Sequence, residues 1–211
     1  MAQCAHMNRV EYSVRSCRIT VRLPTYPLIN LASISHDMAA AAGWHRFTPV
    51  TKFVPSGHKL YRASAPNYRG KDSDQDLTQA AVDFLVIQGI DSIISFNEYE
   101  YKAVEKERLA KATKPIQYLH LKLGDFKPPT LAQFKQANDF FLKNKSTLVH
   151  CGYGWGRTGT GVTGLQIYTE NGKNLQPLAR SWSTTLANGG NNVEKREQMS
   201  ILSEQRNLFF P

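Results

Sequence analysis

Cysteine is scarce in this sequence: its 211 residues include three, Cys4, Cys17 and Cys151. An odd number of cysteines without framework spacing argues against a small secreted fold held together by disulfides. The sequence also has no apolar run near the roughly 18 residues that a membrane-spanning helix requires. We therefore expect no transmembrane segment and a reducing compartment, the cytoplasm, unless the N-terminal residues direct the protein elsewhere.

Acidic residues are outnumbered, with 17 Asp and Glu against 26 Lys and Arg, which gives a formal net charge of +9. A basic protein favours anionic partners, such as phosphorylated proteins, acidic or phosphorylated lipids and nucleic acid, without choosing among them. The His, Cys, Asp and Glu residues show no convincing metal-ligand spacing. We therefore expect neither a metal nor an organic cofactor.

Residues 1–45 differ in composition from the rest of the chain. Their first 22 residues hold four arginines against one acidic residue, Glu11. Such a composition occurs in organelle transit peptides, whereas the early prolines Pro24 and Pro27 count against one. We predict an N-terminal extension over residues 1–45, either an appendage packed on the protein or a targeting segment, followed by one domain over 46–211. Alternating polar and apolar residues predict strands at 12–14 and 17–23.

From residue 46 onward, strand-like and helix-like segments alternate. The predicted strands cover residues 59–62, 90–96, 116–121 and 147–150. The predicted helices cover 77–88, 99–113, 131–144, 157–169, 175–187 and 194–207, with Asp72, Ser73 and Asp74 as capping residues of the first and Thr130 of the third. This alternation predicts an α/β fold with a central, mostly parallel sheet flanked by helices.

Residues 150–159, with the sequence HCGYGWGRTG, join the last predicted strand to a helix. A strand, a glycine-rich turn and a helix N-terminus form an anion site, because successive backbone N–H groups and the helix dipole point at the same place. In that field we expect Cys151 to be a thiolate at neutral pH. The planar guanidinium of Arg157 can bind two phosphate oxygens at once. The sequence predicts a phosphate site formed by Arg157 together with the loop residues Gly152, Tyr153, Gly154, Trp155 and Gly156.

A thiolate at the base of a phosphate site favours covalent phosphoryl transfer in two steps. Cys151 attacks phosphorus while Arg157 and the loop amides stabilise the equatorial oxygens, and water then hydrolyses the cysteinyl-phosphate. Thr158 is placed to donate a hydrogen bond to the departing thiolate. Asp125, in a loop after a predicted strand, is the best candidate for the acid that protonates the leaving group.

Two nearby residues each allow two interpretations. Lys127, beside the acid, either attracts a second negative charge or is simply solvated. His150 either acts as a base for Cys151, as in cysteine proteases, or has a structural role near the loop that tunes the thiol. Adjacent residues of a strand point to opposite faces, which favours the structural role.

The segment HCGYGWGRTGT resembles the Cys-x5-Arg signature of protein tyrosine phosphatases and looks most like that of the small atypical dual-specificity phosphatases. LGDFKPPT is similar to the acid loop of the family, KLYRASAP and DSIISFNE to its opening strands, and VEKREQ to the start of its last helix. The resemblance covers about residues 58–208. It implies a protein tyrosine phosphatase-like fold in which the nucleophile, phosphate-binding arginine, acid and hydroxyl donor are Cys151, Arg157, Asp125 and Thr158. By analogy Gln198 would help to position water, unless it is an ordinary surface glutamine.

The resemblance also implies a function: a phosphoprotein phosphatase for phosphotyrosine, with phosphoserine and phosphothreonine as open alternatives. Phosphoinositide phosphatases share the signature but usually carry basic residues within the loop, which is uncharged here. RNA 5′-triphosphatases share it too, and a module that binds phosphate without turnover is the alternative outside enzymes. We expect a phosphorylated protein as partner, with an acidic lipid as an alternative and nucleic acid disfavoured. Tyr153 and Trp155 are predicted at the cavity entrance, with core packing of Trp155 as the alternative.

Overall fold

The computed structural model describes residues 13–14, 17–18, 37–170 and 190–209. Two short strands, β1 (Ser13–Val14) and β2 (Cys17–Arg18), pair antiparallel. They confirm part of the two strands predicted there, whose other residues lie outside the described part of the chain, as does the predicted helix over 175–187. The division of the chain near residue 45 stays a prediction.

A five-stranded sheet runs through the described residues. Its strands are β3 (Thr48–Val50), β4 (Lys59–Ala63), β5 (Ser92–Ser95), β6 (Gln117–His120) and β7 (Ser146–His150). Their order is β3-β4-β7-β5-β6, with β3 antiparallel to β4 and every other pair parallel. This confirms the predicted mostly parallel sheet. Strand β3 was not predicted because it consists of three largely exposed residues around Pro49 and has no apolar pattern.

Helices flank this sheet at the positions that the sequence predicted. They are α1 (Gln79–Ile87), α2 (Ala103–Lys111), α3 (Leu131–Lys143), α4 (Gly156–Glu170) and α5 (Arg196–Asn207). Thr130 caps α3 as predicted, its Oγ1 accepting a hydrogen bond from Gln133 at 3.1 Å. The capping prediction for α1 was wrong: Thr78 caps this helix, and residues 72–74 form a separate 3-10 turn. No helix among the described residues is both long and apolar enough to cross a bilayer.

Strand β7 lies at the centre of the sheet, is buried along its whole length and separates two apolar layers. Leu148 packs with residues of α1 and α2, whereas the next residue, Val149, packs with residues of α3 and α4. Alternate residues of a strand face opposite sides of a sheet, so the two pairs of helices cover opposite faces. Helix α5 packs outside α4 around Ile167 and Leu202. The carboxyl end of β7, where open α/β sheets bind ligands, is thus the middle of the fold.

Candidate active site

The loop of residues 151–155 connects β7 to α4 and forms the base of a cavity. Cys151 is buried there, and the N–H of Gly154 donates a hydrogen bond to its Sγ at 3.3 Å. Gly154 has a φ of +96°, and a Cβ on it would lie 2.7 Å from the backbone nitrogen of Ser64. The loop can therefore fold against the end of β4 only with glycine at this position. Because Gly156 both begins α4 and lines the cavity, the positive end of the helix dipole faces the same space.

The cavity has a volume of about 210 Å³ and brings together half of the residues predicted for the site. Its lining residues are Tyr68, Asp125, Phe126, Cys151, Tyr153, Trp155, Gly156, Arg157 and Glu194. The predicted nucleophile, acid and phosphate-binding arginine therefore meet at one place. Three members were not predicted, namely Tyr68, Phe126 and Glu194. Six predicted residues lie outside the lining, namely His150, Gly152, Gly154, Thr158, Lys127 and Gln198.

Arg157 is held by Asp72, a residue that sequence reasoning had assigned to capping. Nη1 of Arg157 donates to Oδ2 of Asp72, and Nη2 donates to Oδ1 at 2.8 Å, which makes the pair bidentate. Nη1 also donates to the carbonyl of Leu123 at 3.0 Å. Burial works against the charge, but the hydrogen bond to Asp72 and the negative charges nearby outweigh it and raise the pKa of Arg157 above its usual value. No motif could have identified Asp72, which lies in a polar turn 85 residues before the arginine.

Asp72 also accounts for the glycine that follows the cysteine. A Cβ on Gly152 would lie 2.0 Å from Oδ1 of Asp72 and 2.9 Å from the ring of Tyr68. The carbonyl of Gly152 accepts a hydrogen bond from the N–H of Ala65 at 2.8 Å, which fixes the peptide against the end of β4. Gly152 thus makes room for the partner of Arg157.

The predicted acid, Asp125, lies beside Arg157 on the exposed side of the cavity. Its Oδ1 is 3.1 Å from Nη2 of Arg157, and 62% of its side chain is exposed. The same oxygen accepts a hydrogen bond from the N–H of Phe126, a residue whose φ of +61° turns the loop. A carboxyl group at this position can reach the outer side of a group bound on Cys151. Lys127 is exposed and lies outside the cavity lining.

Gln198 fastens the loop that carries Asp125 to the start of α5. Its Nε2 donates to the carbonyl of Phe126 at 3.2 Å, and its Oε1 accepts from the N–H groups of Glu194 and Lys195 at 3.0 and 3.1 Å. The Nζ of Lys195 also lies 4.3 Å from the centroid of the Phe126 ring. Gln198 is fully buried, so its side chain supports the acid loop from behind.

Glu194 is a carboxylate of the cavity that sequence reasoning missed. Its Oε2 accepts a hydrogen bond from the N–H of Gly156 at 3.1 Å. A Cβ on Gly156 would lie 2.3 Å from the same oxygen, so glycine is needed for this contact. The carboxylate rests on the first residue of α4, where the helix dipole favours negative charge. The available signal was its place four residues before Gln198, in the segment VEKREQ.

His150 lies behind the loop with both ring nitrogens engaged. Nδ1 is 3.0 Å from the carbonyl oxygen of Cys151, and Nε2 is 2.8 Å from the hydroxyl of Tyr101. Because a carbonyl can only accept, Nδ1 carries the proton and Nε2 accepts from Tyr101. Burial lowers the pKa of His150 to about 4, so the ring is neutral at neutral pH. These contacts match the structural role and leave neither nitrogen for the thiol.

The predicted hydrogen bond from Thr158 to the sulfur of Cys151 is not formed. Thr158 is fully buried in α4, and its hydroxyl has no hydrogen-bond partner among the described residues. The sulfur instead accepts from the N–H of Gly154. A buried hydroxyl without a partner lowers the free energy of unfolding. Thr158 is therefore a hydrogen-bond donor that lies close to the site and has no acceptor among the described residues.

Four aromatic side chains border the cavity. Tyr153, Trp155 and Phe126 are exposed, and Tyr68 faces Tyr153 with ring centroids 6.2 Å apart. The guanidinium carbon of Arg46 lies 3.5 Å from the centroid of Tyr153 and 5.8 Å from that of Trp155. Trp155 is 40% exposed, so the alternative that it packs in the core was wrong.

Within the described ranges, no group of His, Cys, Asp and Glu side chains is placed to hold a metal ion. The carboxylates of the site have other partners, Asp72 and Asp125 at Arg157 and Glu194 at Gly156. The arrangement can bind a tetrahedral oxyanion and present it with a sulfur nucleophile and a carboxyl group.

Comparison with known proteins also relates this chain to phosphatases. Residues 69–171 match a family model described as "Polymorphic toxin system, DSP-PTPase phosphatase". A search of the curated proteins finds no match to the chain.

Solved structures with a similar fold include several phosphatases. Tk-PTP in its active form is 21% identical over 74% of this chain and 95% of that one, with a TM-score of 0.51. The kinase-associated phosphatase with its catalytic-site cysteine replaced by serine is 18% identical over 79% of this chain and 96% of that one, with a TM-score of 0.56. PTPMT1 in complex with PI(5)P is 18% identical over 72% of this chain and 92% of that one, with a TM-score of 0.52. The family match over residues 69–171 and the similar folds thus relate this chain to the dual-specificity and protein tyrosine phosphatases.

Proposed function

We propose that the protein is a cysteine-dependent phosphatase that hydrolyses phosphotyrosine in proteins, with phosphoserine and phosphothreonine as further substrates. The observation that carries this proposal is the meeting of Cys151, Arg157 and Asp125 at one cavity, above a turn of backbone amides. Each of these groups supplies what one part of phosphoryl transfer needs: a nucleophile, a cation and a proton donor.

In the first step, the thiolate of Cys151 attacks phosphorus in line with the leaving oxygen. A sulfur–phosphorus bond forms, the bond from phosphorus to the ester oxygen breaks, and that oxygen takes the proton of Asp125. The loop amides and the N-terminus of α4 stabilise the charge on the three equatorial oxygens. The position of Asp125 on the exposed side of the cavity, away from the buried thiol, supports its role as this acid.

In the second step, water attacks the phosphorus of the cysteinyl-phosphate from the side of the departed alcohol. The carboxylate of Asp125 takes a proton from that water, the sulfur–phosphorus bond breaks, and inorganic phosphate leaves. The thiolate and the protonated acid are thereby restored. The hydroxyl of Thr158, which lacks a partner among the described residues, is available to the sulfur if the side chain rotates toward it.

Asp72 decides which edge of Arg157 meets the phosphate. Asp72 engages both Nη atoms, and the carbonyl of Leu123 takes a further hydrogen of Nη1. The edge formed by Nε and the remaining hydrogen of Nη2 is the one that would bind the phosphate. On this edge Nη2 lies beside Asp125. A phosphate bound on this edge replaces the contact between Arg157 and Asp125, which releases the acid toward the leaving oxygen.

The rim of the cavity supports an aromatic leaving group. A phenyl ring attached to the bound phosphate would pass between the aromatic side chains of Tyr68, Phe126, Tyr153 and Trp155. Contacts between aromatic rings contribute about 0.5–1.5 kcal/mol beyond the area that they bury. This is the physical reason for placing phosphotyrosine before phosphoserine and phosphothreonine.

A phosphoinositide with one ring phosphate is the second candidate substrate, because the similar PTPMT1 structure is a complex with PI(5)P. Headgroups with several phosphates, and triphosphorylated RNA ends, fit the site less well. The loop side chains are uncharged, while Glu194 adds negative charge to the cavity. Like charges repel a polyanion, so a single phosphate on a neutral group is favoured.

We propose the cytoplasm as the place of action. The matched family is described as part of a polymorphic toxin system. Delivery of this chain into the cytoplasm of another cell is the corresponding proposal, in which the phosphorylated substrates belong to the recipient.

Hydrolysis of p-nitrophenyl phosphate tests the proposed function. The wild-type protein should release nitrophenol in the presence of EDTA, and Cys151→Ser should be inactive because its hydroxyl is not ionised at neutral pH. Full activity of Cys151→Ser would overturn the proposal. Binding of a phosphotyrosine peptide by the wild type without any phosphate release would instead establish a binding module. A side-by-side panel of phosphopeptides, PI(5)P and triphosphorylated RNA then ranks the substrates.

A further inference from the structure

Three successive carbonyls of the loop, those of residues 152–154, are held from outside the cavity. The first accepts a hydrogen bond from the N–H of Ala65 at 2.8 Å. The second accepts from Nη1 of Arg46 at 3.2 Å, and the third from Nη2 of Arg62 at 2.8 Å. All three donors lie outside the cavity lining, and the proposed reaction uses none of them.

The direction of these carbonyls sets the direction of the loop amides. In a trans peptide, the C=O of one residue and the N–H of the next point in opposite directions. Carbonyls of residues 152–154 that point out of the cavity therefore aim the N–H groups of residues 153–155 into it. The hydrogen bond from the N–H of Gly154 to the sulfur of Cys151 agrees with this geometry. The groups that bind these carbonyls therefore also orient the N–H groups that would bind an anion.

Arg62 is the more buried of the two arginines that hold the loop. It is 6% exposed at the end of β4, and besides the loop it binds the carbonyls of Gly190 and Asn191, the latter at 2.9 Å. No carboxylate in the described part of the chain forms an ion pair with it. Burial lowers the pKa of Arg62 to about 10, with the charge of Cys151 acting in the other direction, so the side chain stays a cation at neutral pH. A buried cation that binds carbonyl oxygens is costly, which calls for a function.

Arg46 approaches the same loop from the segment before β3. It adopts a φ of +56°, which non-glycine residues rarely adopt. This conformation places its guanidinium over the ring of Tyr153 while Nη1 binds the carbonyl of the same residue.

We propose that Arg62, assisted by Arg46, is a positioning residue of the anion site: the two guanidinium groups hold successive loop carbonyls outward and thereby aim the next N–H groups at the bound oxyanion. Neither side chain touches the substrate. The inference rests on the proposed function in that the oxyanion of the reaction is a phosphate group. Its effect appears in anion binding, which can be measured without turnover.

Calorimetric titration of the full chain with tungstate, a tetrahedral oxyanion, tests this role. Arg62→Met should bind tungstate at least about tenfold more weakly, because the loop loses a hydrogen bond from a charged group. Arg108→Met is the matched control, since it removes an arginine hydrogen bond to a carbonyl, that of Leu77, away from the cavity. The control should bind tungstate as the wild type does. Wild-type affinity in folded Arg62→Met would overturn the inference.

Two further measurements separate positioning from folding. Guanidinium added to Arg62→Ala should occupy the space of the lost side chain and restore tungstate affinity, whereas a role in stability alone would predict no such recovery. If the variants at position 62 do not fold, Arg46→Met decides, because this partly exposed residue should still weaken tungstate binding about threefold. Wild-type tungstate affinity in Arg46→Met would in that case overturn the inference.

The proposed function and this inference can fail separately. Loss of tungstate affinity in Arg62→Met, together with a wild type that does not hydrolyse p-nitrophenyl phosphate, would reject the phosphatase and keep the positioning role. An active wild type with unchanged tungstate binding in Arg62→Met would reject the positioning role alone.

Discussion

Asp72 and Arg157 form a bidentate ion pair across 85 residues of sequence, with side chains that are 10% and 4% exposed. The charge of the arginine is therefore already balanced when a phosphate approaches. What the pair contributes is direction, because two parallel hydrogen bonds fix the plane and the free edge of the guanidinium.

Asp72→Asn keeps the shape of this side chain and removes its charge. We expect kcat/KM for p-nitrophenyl phosphate to fall about tenfold to a hundredfold, because Arg157 loses one of two bonds that orient it. The free energy of unfolding should fall by about 2–4 kcal/mol, because one charge of a nearly buried pair is left without its partner. Steady-state kinetics and urea unfolding measure both. Asp74→Asn, on the same 3-10 turn but bonded to the N–H of Lys71, is the control and should change neither.

Asp125→Asn separates proton donation from binding. With a phosphoserine peptide, whose leaving group needs a proton, kcat should fall about a hundredfold or more. With p-nitrophenyl phosphate, whose leaving group departs as an anion, the loss should be about tenfold or less. The exposed neighbour substitution Lys127→Met serves as the control. Equal losses of kcat on both substrates would contradict the acid role.

The parts of the site that sequence could predict are those whose chemistry is local. Residues 150–157 contain the end of β7, the glycines of the loop and the start of α4, so the loop amides and Cys151 could be predicted from one short stretch. Three other residues reach the site from three different elements, and in the sequence each looks like an ordinary polar residue of its own element. They are Asp72, Arg62 and Glu194. The pairing of β4 with β7 brings Arg62 to the loop, and the packing of α5 on α4 brings Glu194 to it. Asp72 reaches Arg157 from the 3-10 turn of residues 72–74.

The same distinction holds for the fold. Buried strands such as β5 and β7 each contain a pair of adjacent apolar residues and were predicted, whereas β3 has no apolar pattern and was missed. Thr158 was expected to bond the thiol because its place in the motif is right. The direction of its hydroxyl depends on the first turn of α4, which a motif does not specify.

Glu194→Gln removes one negative charge from the cavity and retains an oxygen that can accept the hydrogen bond of Gly156. We expect KM for p-nitrophenyl phosphate to fall about threefold to tenfold, because one carboxylate fewer repels the dianion. Glu197→Gln, an exposed residue on α5, should leave KM unchanged. A fall in kcat for Glu194→Gln, without a change in KM, would show instead that this carboxylate takes part in the chemistry.

His150 predicts how stability depends on pH. In the folded protein its pKa is about 4, against 6.5 for an unperturbed histidine, so between these values the unfolded chain binds a proton that the folded one does not. The free energy of unfolding should therefore fall as pH drops from 6.5 to 4, by about 3 kcal/mol in total, with no contribution from this group above pH 6.5. Urea unfolding over this range measures it. His150→Gln should lose less stability over the same interval, and parallel pH curves for the two proteins would contradict the assignment.

The space beside the nucleophile is shared between two positions far apart in the sequence. An oxygen of Asp72 occupies the volume where residue 152 would carry its first side-chain atom. A relative with a larger residue after its cysteine cannot bring the counter-charge of its arginine from this turn and must supply it from another element. Positions 72 and 152 are therefore expected to be inherited together. In a chimera with such a relative, exchanging position 72 or position 152 alone would remove the carboxylate partner of Arg157. Exchanging both positions together with the residues around them would keep a partner for the arginine.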